Sequence, residues 1–245
     1  MKKVIIIAND AEASGNTTMT VLLHGHLTRQ NLRVKVVTTS IEQELPMDVT
    51  LLDVEDGFKP EAFIDLVDHS DVVIVDVHTG GAEKFERRFF KNRIDEALEE
   101  IQCGLTVVLP VCEDEHVLRN AMERARAYSR AAEFVVAHMP LLADDQMSYR
   151  NSTAQRLFTQ LGAVEATIPQ LEDSIMDELD AMDLDLALAL SQRNHLARYV
   201  RQELLKWEVD ACERLRAADT LLVPDTSVVS DEREDAIYGR TLAFH

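Results

Sequence analysis

The chain is poor in cysteine and aromatic residues and has no long apolar run, and each shortage excludes a class of protein. Its three cysteines, Cys103, Cys112 and Cys212, form no CxxC or other metal-ligand spacing, so we expect reduced thiols in the core. No apolar run approaches the ~18 residues that a membrane span needs. The apolar stretch at residues 4–8 stops at Asn9-Asp10, too soon for a secretory signal. These absences predict a cytoplasmic protein.

Positive charge is also scarce. The chain has 25 Lys and Arg against 44 Asp and Glu, a net charge of −19. Such a field repels nucleic acid and anionic lipid at long range, so we expect the monomer to bind neither DNA nor a membrane. Aromatic residues make up 5% of a chain that is 46% hydrophobic. The core must therefore be built from Val, Ile, Leu, Ala and Met.

Short apolar runs alternate with longer helical patterns, which predicts βαβ units and an α/β fold: three αβα layers around a mostly parallel central sheet. The predicted strands are residues 4–8, 34–38, 49–54, 71–77, 105–111, 134–137 and 164–168. The predicted helices among them are residues 16–30, 60–69, 82–102 and 113–132.

The character of the chain changes after Pro169. Residues 172–185 carry seven acidic side chains and no basic one, and apolar residues at helical spacing follow over residues 196–215. We therefore predict a core over residues 1–170. Residues 171–245 are predicted to form a helical extension that packs on this core and ends in an exposed tail.

The segment from Asp10 to Thr18 has the outline of a phosphate-binding loop. A strand, a glycine and then threonines at a helix start place backbone amides where they can hold anionic oxygens. Against the P-loop pattern GxxxxGK[ST], only Gly15 and Thr17 match. The simpler alternative is a glycine turn followed by an ordinary helix cap.

Two further segments carry a resemblance to a known family. Residues 71–81, Asp-Val-Val-Ile-Val-Asp-Val-His-Thr-Gly-Gly, resemble the DxxxxDxPxG strand and switch of the ParA/MinD ATPases. Residues 162–169, which end in Ile-Pro, resemble that family's last strand and the turn into its adenine loop. The resemblance implies a P-loop NTPase-like fold that binds ATP or ADP with Mg²⁺.

The resemblance also implies roles for individual residues. Thr17 would be the metal ligand, and Asp76 the catalytic acidic residue near the metal and the attacking water. His138 stands roughly where the family has an adenine-reading asparagine. The implied phosphate-binding residues are Gly15, Asn16, Thr17 and Thr18.

The departures from the family pattern concern charge. Asn16 replaces the lysine that neutralises the β- and γ-phosphates, and Ala11 replaces the family's second, signature lysine. Asp10 and Glu12 add negative charge to the same loop, and residues 38–40 replace the aspartates that follow the second strand. These changes should cost several kcal/mol of phosphate stabilisation, so we do not expect conventional ATP hydrolysis.

Two functions from different classes fit this pattern. The first is a divergent ParA/MinD-like nucleotide-binding switch or adaptor that forms a homodimer and binds a protein partner. Its settings would be plasmid or chromosome partition, conjugative transfer or intracellular positioning. The second is a pseudo-ATPase scaffold that has lost nucleotide binding and acts only through protein contacts. A third possibility is an enzyme acting on another small anionic ligand, with His78 as general base.

Three other features have a structural and a functional interpretation. His24 and His26 flank Gly25 at a spacing that does not suit a helical metal site, so we expect ordinary surface or half-buried histidines. The acidic segment 172–185 is either solvated surface or a docking site for protein. A basic stripe on the predicted third helix is either a solvated face or an interface, and consists of Lys84, Arg87, Arg88 and Lys91.

Overall fold

Seven strands form one sheet in which every pair of neighbours is parallel, in the order β3-β2-β4-β1-β5-β6-β7. The computed structural model describes residues 1–12, 14–40, 45, 47–54, 59–139, 149–191 and 195–225. The strands are β1 (Lys2–Ile7), β2 (Val34–Thr38), β3 (Val49–Leu51), β4 (Val72–Asp76), β5 (Cys103–Val111), β6 (Glu133–His138) and β7 (Val164–Thr167). The predicted α/β class and parallel sheet are confirmed.

Helices cover both faces of the sheet. They are α1 (Asn16–Thr28), α2 (Pro60–Asp68), α3 (Ala82–Lys91), α4 (Ile94–Glu100), α5 (Glu115–Tyr128), α6 (Thr153–Gln160), α7 (Asp173–Ala181), α8 (Leu186–Ser191), α9 (Arg198–Leu215) and α10 (Asp219–Leu222). A short 3₁₀ turn, Arg216–Ala218, links the last two. Helices α2 to α6 bury their apolar side chains against one face, and α1 packs with α7 to α10 on the other. The result is the predicted three-layer αβα arrangement.

The predicted long helix over residues 82–102 is wrong in one respect, because the chain breaks there into α3 and α4. Arg93 has a φ of 55°, a left-handed conformation that ends the first helix. Phe89 and Ile94 are both fully buried. In a continuous helix these two positions would lie about 140° apart around the axis. The break turns both side chains into the same core.

Residues 173–222 belong to the same apolar core as α1. Leu179, Leu204 and Trp207 are buried in one cluster with Leu23 of α1 and Ile74 of β4. The indole N–H of Trp207 donates to the carbonyl oxygen of Pro169 at 2.6 Å, which fixes α9 against the turn after β7. The exposed tail is predicted for the last fifteen residues, 231–245, which lie outside the described residues.

The cysteines lie within the folded core, as predicted. Cys103, Cys112 and Cys212 are free thiols and are buried. Burial raises the pKa of each thiol, that of Cys103 to about 11, so all three stay protonated near neutral pH. Across the described part of the chain, every helix is too short or too polar to cross a membrane.

Candidate functional site

The loop after β1 leads directly into the N-terminus of α1. This first loop, residues 8–15, ends at Gly15, whose φ of 89° favours glycine because a Cβ is strained there. The amide of Met19 donates to the carbonyl of Gly15 at 2.9 Å, which starts the helix. No described side chain caps α1, and its first turn has no acidic residue. Its N-terminal amides therefore form an electropositive end suited to an anion.

A cavity of about 580 Å³, here called the loop cavity, opens at this helix end. Its polar side consists of Ser14, Gly15, Asn16, Thr17, Thr18, Ser40, His78 and Thr79. Its opposite side consists of Met139, Met176, Leu179, Asp180, Leu184, Asp185, Leu186 and Ala187. None of these described lining residues is Lys or Arg. The cavity thus offers helix amides and hydroxyls to an anion, with two carboxylates facing them.

The acidic segment, residues 172–185, forms part of this cavity, which the sequence did not predict. Met176, Leu179 and Asp180 lie on α7, and Asp185 lies in the turn that follows it. Leu179 is buried in the core, so α7 is held in place as a wall of the cavity. Only the folded chain reveals this role, because the segment lies more than 150 residues after the first loop.

The resemblance in sequence aligns Asn16 with the P-loop lysine, and in the structure its side chain turns into the sheet edge. Its Nδ2 donates to the carbonyl oxygens of Asn9 at 2.9 Å and Val77 at 3.1 Å. Its Oδ1 accepts from the Ser14 hydroxyl at 3.3 Å. The residue is 6% exposed. It therefore ties the ends of β1 and β4 together and brings no positive charge to the cavity.

Asn9 extends this hydrogen-bond network to β5 and was missed in the sequence. Its Nδ2 donates to the carbonyls of Pro110 at 2.8 Å and Val117 at 3.2 Å, and its Oδ1 accepts from the amide of Ala11 at 3.1 Å. Ala11, at the place of the signature lysine, is 1% exposed. The polar residue directly after an apolar strand was the available signal, since strand ends of a parallel sheet meet at one edge.

Asp76 lies at the carboxyl end of β4 and is fully buried. It pairs in register with Ile7 of β1 and Thr38 of β2, so it sits beneath the loops that form the cavity. The residues after β4 that line the loop cavity are His78 and Thr79, two and three residues after Asp76. The structure thus brings Asp76 to the same edge of the sheet as the loop cavity, but Asp76 is buried and is not among the described residues that line the cavity.

His78 is held in a fixed orientation by Thr39. The Thr39 hydroxyl accepts from the backbone N–H of His78 at 3.0 Å and lies 2.9 Å from its Nδ1. The hydroxyl proton can then be donated to Nδ1, which places the proton of a neutral imidazole on Nε2. The ring also lies against Gly81, where an added Cβ would be 2.4 Å from His78 Cε1. A side chain at residue 81 would displace the ring.

His138 lies in a different, adjoining cavity of about 380 Å³ near the ends of β6 and β7. Its Nε2 is 3.0 Å from Oε2 of Glu165, and the hydroxyl of Tyr149 donates to Oε1 of Glu165 at 2.8 Å. Burial, with this hydrogen bond, raises the pKa of Tyr149. Met139 lines both cavities. His138 is therefore near Gly15–Thr18 but does not share their cavity.

His24, His26 and the basic stripe on α3 are not among the described residues that line the loop cavity. His26 is buried, with Nε2 2.7 Å from Oδ1 of Asp219, and burial lowers the pKa of His24. On α3, Arg87 forms an ion pair with Glu83 at 2.7 Å. The described residues contain no group of three or more His, Cys, Asp or Glu side chains placed to hold a metal ion.

No protein-family model and no curated protein matches this sequence. Solved structures do match. The septum site-determining protein MinD of Pyrococcus horikoshii, complexed with Mg-ADP, is 14% identical over 86% of this chain and 96% of its own, with a TM-score of 0.50. The MinD cell division protein of Aquifex aeolicus is 14% identical over 87% and 96% of the two chains, with a TM-score of 0.48.

A third match is the cobyrinic acid a,c-diamide synthase of Mycobacterium smegmatis with bound ADP and magnesium. It is 15% identical over 66% of this chain and 81% of its own, with a TM-score of 0.37. At 14% identity, the likeness to the Pyrococcus structure shows the fold alone and leaves the activity open. The strand order, the loop at α1 and the likeness to the Pyrococcus structure agree: the chain has the three-layer αβα fold of the MinD-type P-loop ATPases.

Proposed function

We propose that this chain is a divergent ParA/MinD-like switch or adaptor that binds an adenine nucleotide with Mg²⁺ at the loop cavity. The observation that carries the proposal is the helix end at Gly15, which opens into a cavity lined by hydroxyls. Backbone amides at such an end hold phosphate oxygens. The P. horikoshii MinD structure, which has the same fold, is a complex with Mg-ADP.

The residues present fit a nucleotide in part. The amides and hydroxyls of Gly15, Thr17 and Thr18 would hold phosphate oxygens, and Thr17 would contact the metal ion. Bound Mg²⁺ supplies charge neutralisation that the described lining residues lack. We therefore expect binding that depends strictly on Mg²⁺ and favours ADP over ATP, because each added phosphate charge faces Asp180 and Asp185.

We expect this chain to hydrolyse ATP slowly or not at all. Phosphoryl transfer needs positive charge on the transferring group, and Asn16 directs its amide to the carbonyls of Asn9 and Val77. In this proposal Asp76 is the acidic residue near the metal, and His138 contacts the base from the adjoining cavity. The 77–81 segment would respond to the bound state.

We further propose a homodimer that binds a protein partner in intracellular positioning, such as plasmid or chromosome partition or conjugative transfer. Residues 1–170 would be the ParA/MinD-like core, and residues 171–245 an extension that contacts the nucleotide site. The wall that α7 adds to the loop cavity supports the proposed contact between this extension and the nucleotide site.

A scaffold without nucleotide is the second candidate, and one observation favours it. Asn16 uses both amide hydrogens on the two carbonyls and sits 6% exposed where a phosphate-binding lysine would be. The loop would then be a structural joint between β1 and β4, and the protein would work through contacts with other proteins.

Calorimetric titration with ADP and ATP, with and without Mg²⁺, separates the two functions. The nucleotide proposal predicts Mg²⁺-dependent binding that is lost in Thr17→Ala and kept in Thr20→Val. Thr20 is a matched control because it lies on the same helix, is fully buried and does not line the cavity. A folded wild-type protein that binds neither nucleotide at millimolar concentration would rule out the nucleotide proposal and direct the search to protein partners.

A further inference from the structure

A buried ion cluster lies between α3, α5 and the start of the first loop. Arg124 of α5 has its Nη1 3.0 Å from a carboxylate oxygen of Glu86 on α3 and 3.7 Å from one of Asp10. The side chains of Arg124, Glu86 and Asp10 are 8%, 9% and 19% exposed. Glu123 also approaches Arg124, at 3.8 Å, but is half exposed. One cation thus serves two largely buried carboxylates.

Asp10 has a second contact that links the cluster to the segment after β4. Its Oδ1 accepts from the backbone N–H of Ala82 at 2.9 Å. Ala82 is the first residue of α3, and the N-cap residue Gly81 offers no side chain. A carboxylate from the first loop therefore caps the helix that follows the 77–81 segment. The cap holds the first loop and α3 together.

The cluster is short of hydrogen bonds. Oε1 of Glu86, Nε and Nη1 of Arg124 and the hydroxyl of Tyr128 are buried without a hydrogen-bond partner among the described residues. The 3.0 Å contact of Nη1 with Glu86 is therefore an ion pair that lacks the alignment of a hydrogen bond. Buried polar atoms usually find partners, so a group of exceptions in one place needs an explanation. An ionised Glu86 is costly here, and a proton on its carboxyl group relieves part of that cost.

The charged groups around Glu86 lie on the first loop, on α3 and on α5. Burial is the main cause that raises the pKa of Glu86 to about 7; Arg124 opposes the shift, and Asp10, Glu83 and Glu123 add to it. Tyr128 of α5 also faces Glu86, whose charge, after burial, raises the pKa of the tyrosine. The charge of Asp10 raises the pKa of Glu86 and so stabilises the proton on Glu86. By linkage, a proton on Glu86 must stabilise Asp10 in its present position to the same extent.

We propose that Arg124 is a positioning residue for the first loop and that its guanidinium is shared between Glu86 and Asp10. When Glu86 carries a proton, the guanidinium interacts chiefly with Asp10. With Glu86 ionised, the two carboxylates repel each other and compete for one guanidinium. With Glu86 protonated, Asp10 is the one largely buried carboxylate left to Arg124, beside the half-exposed Glu123, and the cap on Ala82 is strengthened. The inference goes beyond the proposed function and holds whether or not a nucleotide binds.

Amide hydrogen exchange of the full chain without nucleotide tests this directly. After correction for intrinsic exchange, protection of the Ala82 amide should rise by about threefold between about pH 8 and about pH 6, with a midpoint near 7. The Phe85 amide, which donates to the Gly81 carbonyl at 2.9 Å, is the internal reference. Protection of Ala82 that follows Phe85 over the whole range would overturn the proposal.

Two variants assign the effect to Glu86. Glu86→Gln should hold Ala82 at its low-pH protection throughout and remove the step, whereas Glu83→Gln, an exposed change on the same helix, should keep it. Asp10→Asn keeps an acceptor for Ala82 but removes the charge, and should also abolish the step. A step that survives in Glu86→Gln would refute the assignment. The wild-type profile is decisive even if a variant fails to fold.

Discussion

The first loop has its two ends in opposite electrostatic surroundings. Asp10, near its start, faces the guanidinium of Arg124 at 3.7 Å. Gly15, at its end, opens into a cavity whose described lining includes Asp180 and Asp185 and no Lys or Arg. The positive charge of Arg124 therefore stabilises a structural contact at the Asp10 end. At the Gly15 end, a ligand would depend on helix amides, hydroxyls and any metal ion that it brings.

This difference shows that the backbone geometry of the loop and the charge of its cavity depend on different residues. The strand order and the glycine at the helix start depend on backbone geometry, which Asn16 preserves by bonding to Asn9 and Val77. Phosphate affinity depends on charge, which Asn16 does not supply. Substitutions at the Asp10 end of the loop should therefore affect stability, and substitutions at the cavity should affect ligand affinity.

The largest expected effect is on stability, at the Asp10 end. Arg124→Met should lower the free energy of unfolding by about 3 kcal/mol, because it leaves buried carboxylates without their cation. The loss should be smaller at pH 6 than at pH 8, where Glu86 is ionised. Urea unfolding at both values measures it. Arg126→Met, exposed on the same helix, is the control and should change stability by less than about 0.5 kcal/mol. Equal losses of unfolding free energy in the two variants would show that Arg124 does not stabilise the buried carboxylates.

Asn16→Ala should cost about 2 kcal/mol, because the buried carbonyls of Asn9 and Val77 lose their donor. Thermal or urea unfolding checks this value. Asn120→Ala is the comparison, since that side chain bonds a single carbonyl on the exposed surface of α5. If the two variants are equally stable, Asn16 does not join the strands.

Stability should also depend on pH through Glu86. Its pKa in the folded chain, about 7, lies above the ordinary value of 4.5, so the folded protein keeps a proton that the unfolded chain releases. This contribution is fully present below about pH 4.5 and is lost as pH rises to about 7.

We expect this loss to be about 1–2 kcal/mol after solvent screening. Unfolding titrations across this range measure it. Glu86→Gln should flatten the curve, and Glu83→Gln should not. An unchanged slope in Glu86→Gln would show that another group causes the dependence.

The smallest expected effect is on ligand affinity, at the cavity. Replacing Asp180 and Asp185 together with Asn should raise the affinity for Mg-ATP by about tenfold, or about 1.4 kcal/mol, because two charges that repel the phosphates are removed. Asp177→Asn, on the same helix but outside the cavity lining, is the control. Calorimetry reports both, and equal affinities would show that α7 does not face the ligand.

Much of the fold follows from local signals in the sequence. Every observed strand overlaps a predicted one, because a buried parallel strand is a continuous apolar run such as Val72–Val75. The break at Arg93 and the helix Thr153–Gln160 were not predicted. The break depends on packing Phe89 and Ile94 into one core, which helical periodicity alone does not indicate.

The candidate site was predictable in part for the same reason. Topology places Gly15, Asp76 and His78 at one edge of the sheet, so their proximity follows from strand order. The orientation of Asn16 does not, because its partner Val77 lies 61 residues away. The same holds for Asp180 and Asp185, which reach the cavity only through the packing of α7 on the core.

The most direct test of the central claim, that the loop cavity binds a nucleotide, is an amide NMR spectrum with Mg-ADP added. The account predicts shifts at Gly15 to Thr18 and at His78 that require Mg²⁺, with little change at the amides of α4 on the opposite edge. Unchanged amides at Gly15 to Thr18 in millimolar Mg-ADP, from a folded protein, would contradict the claim.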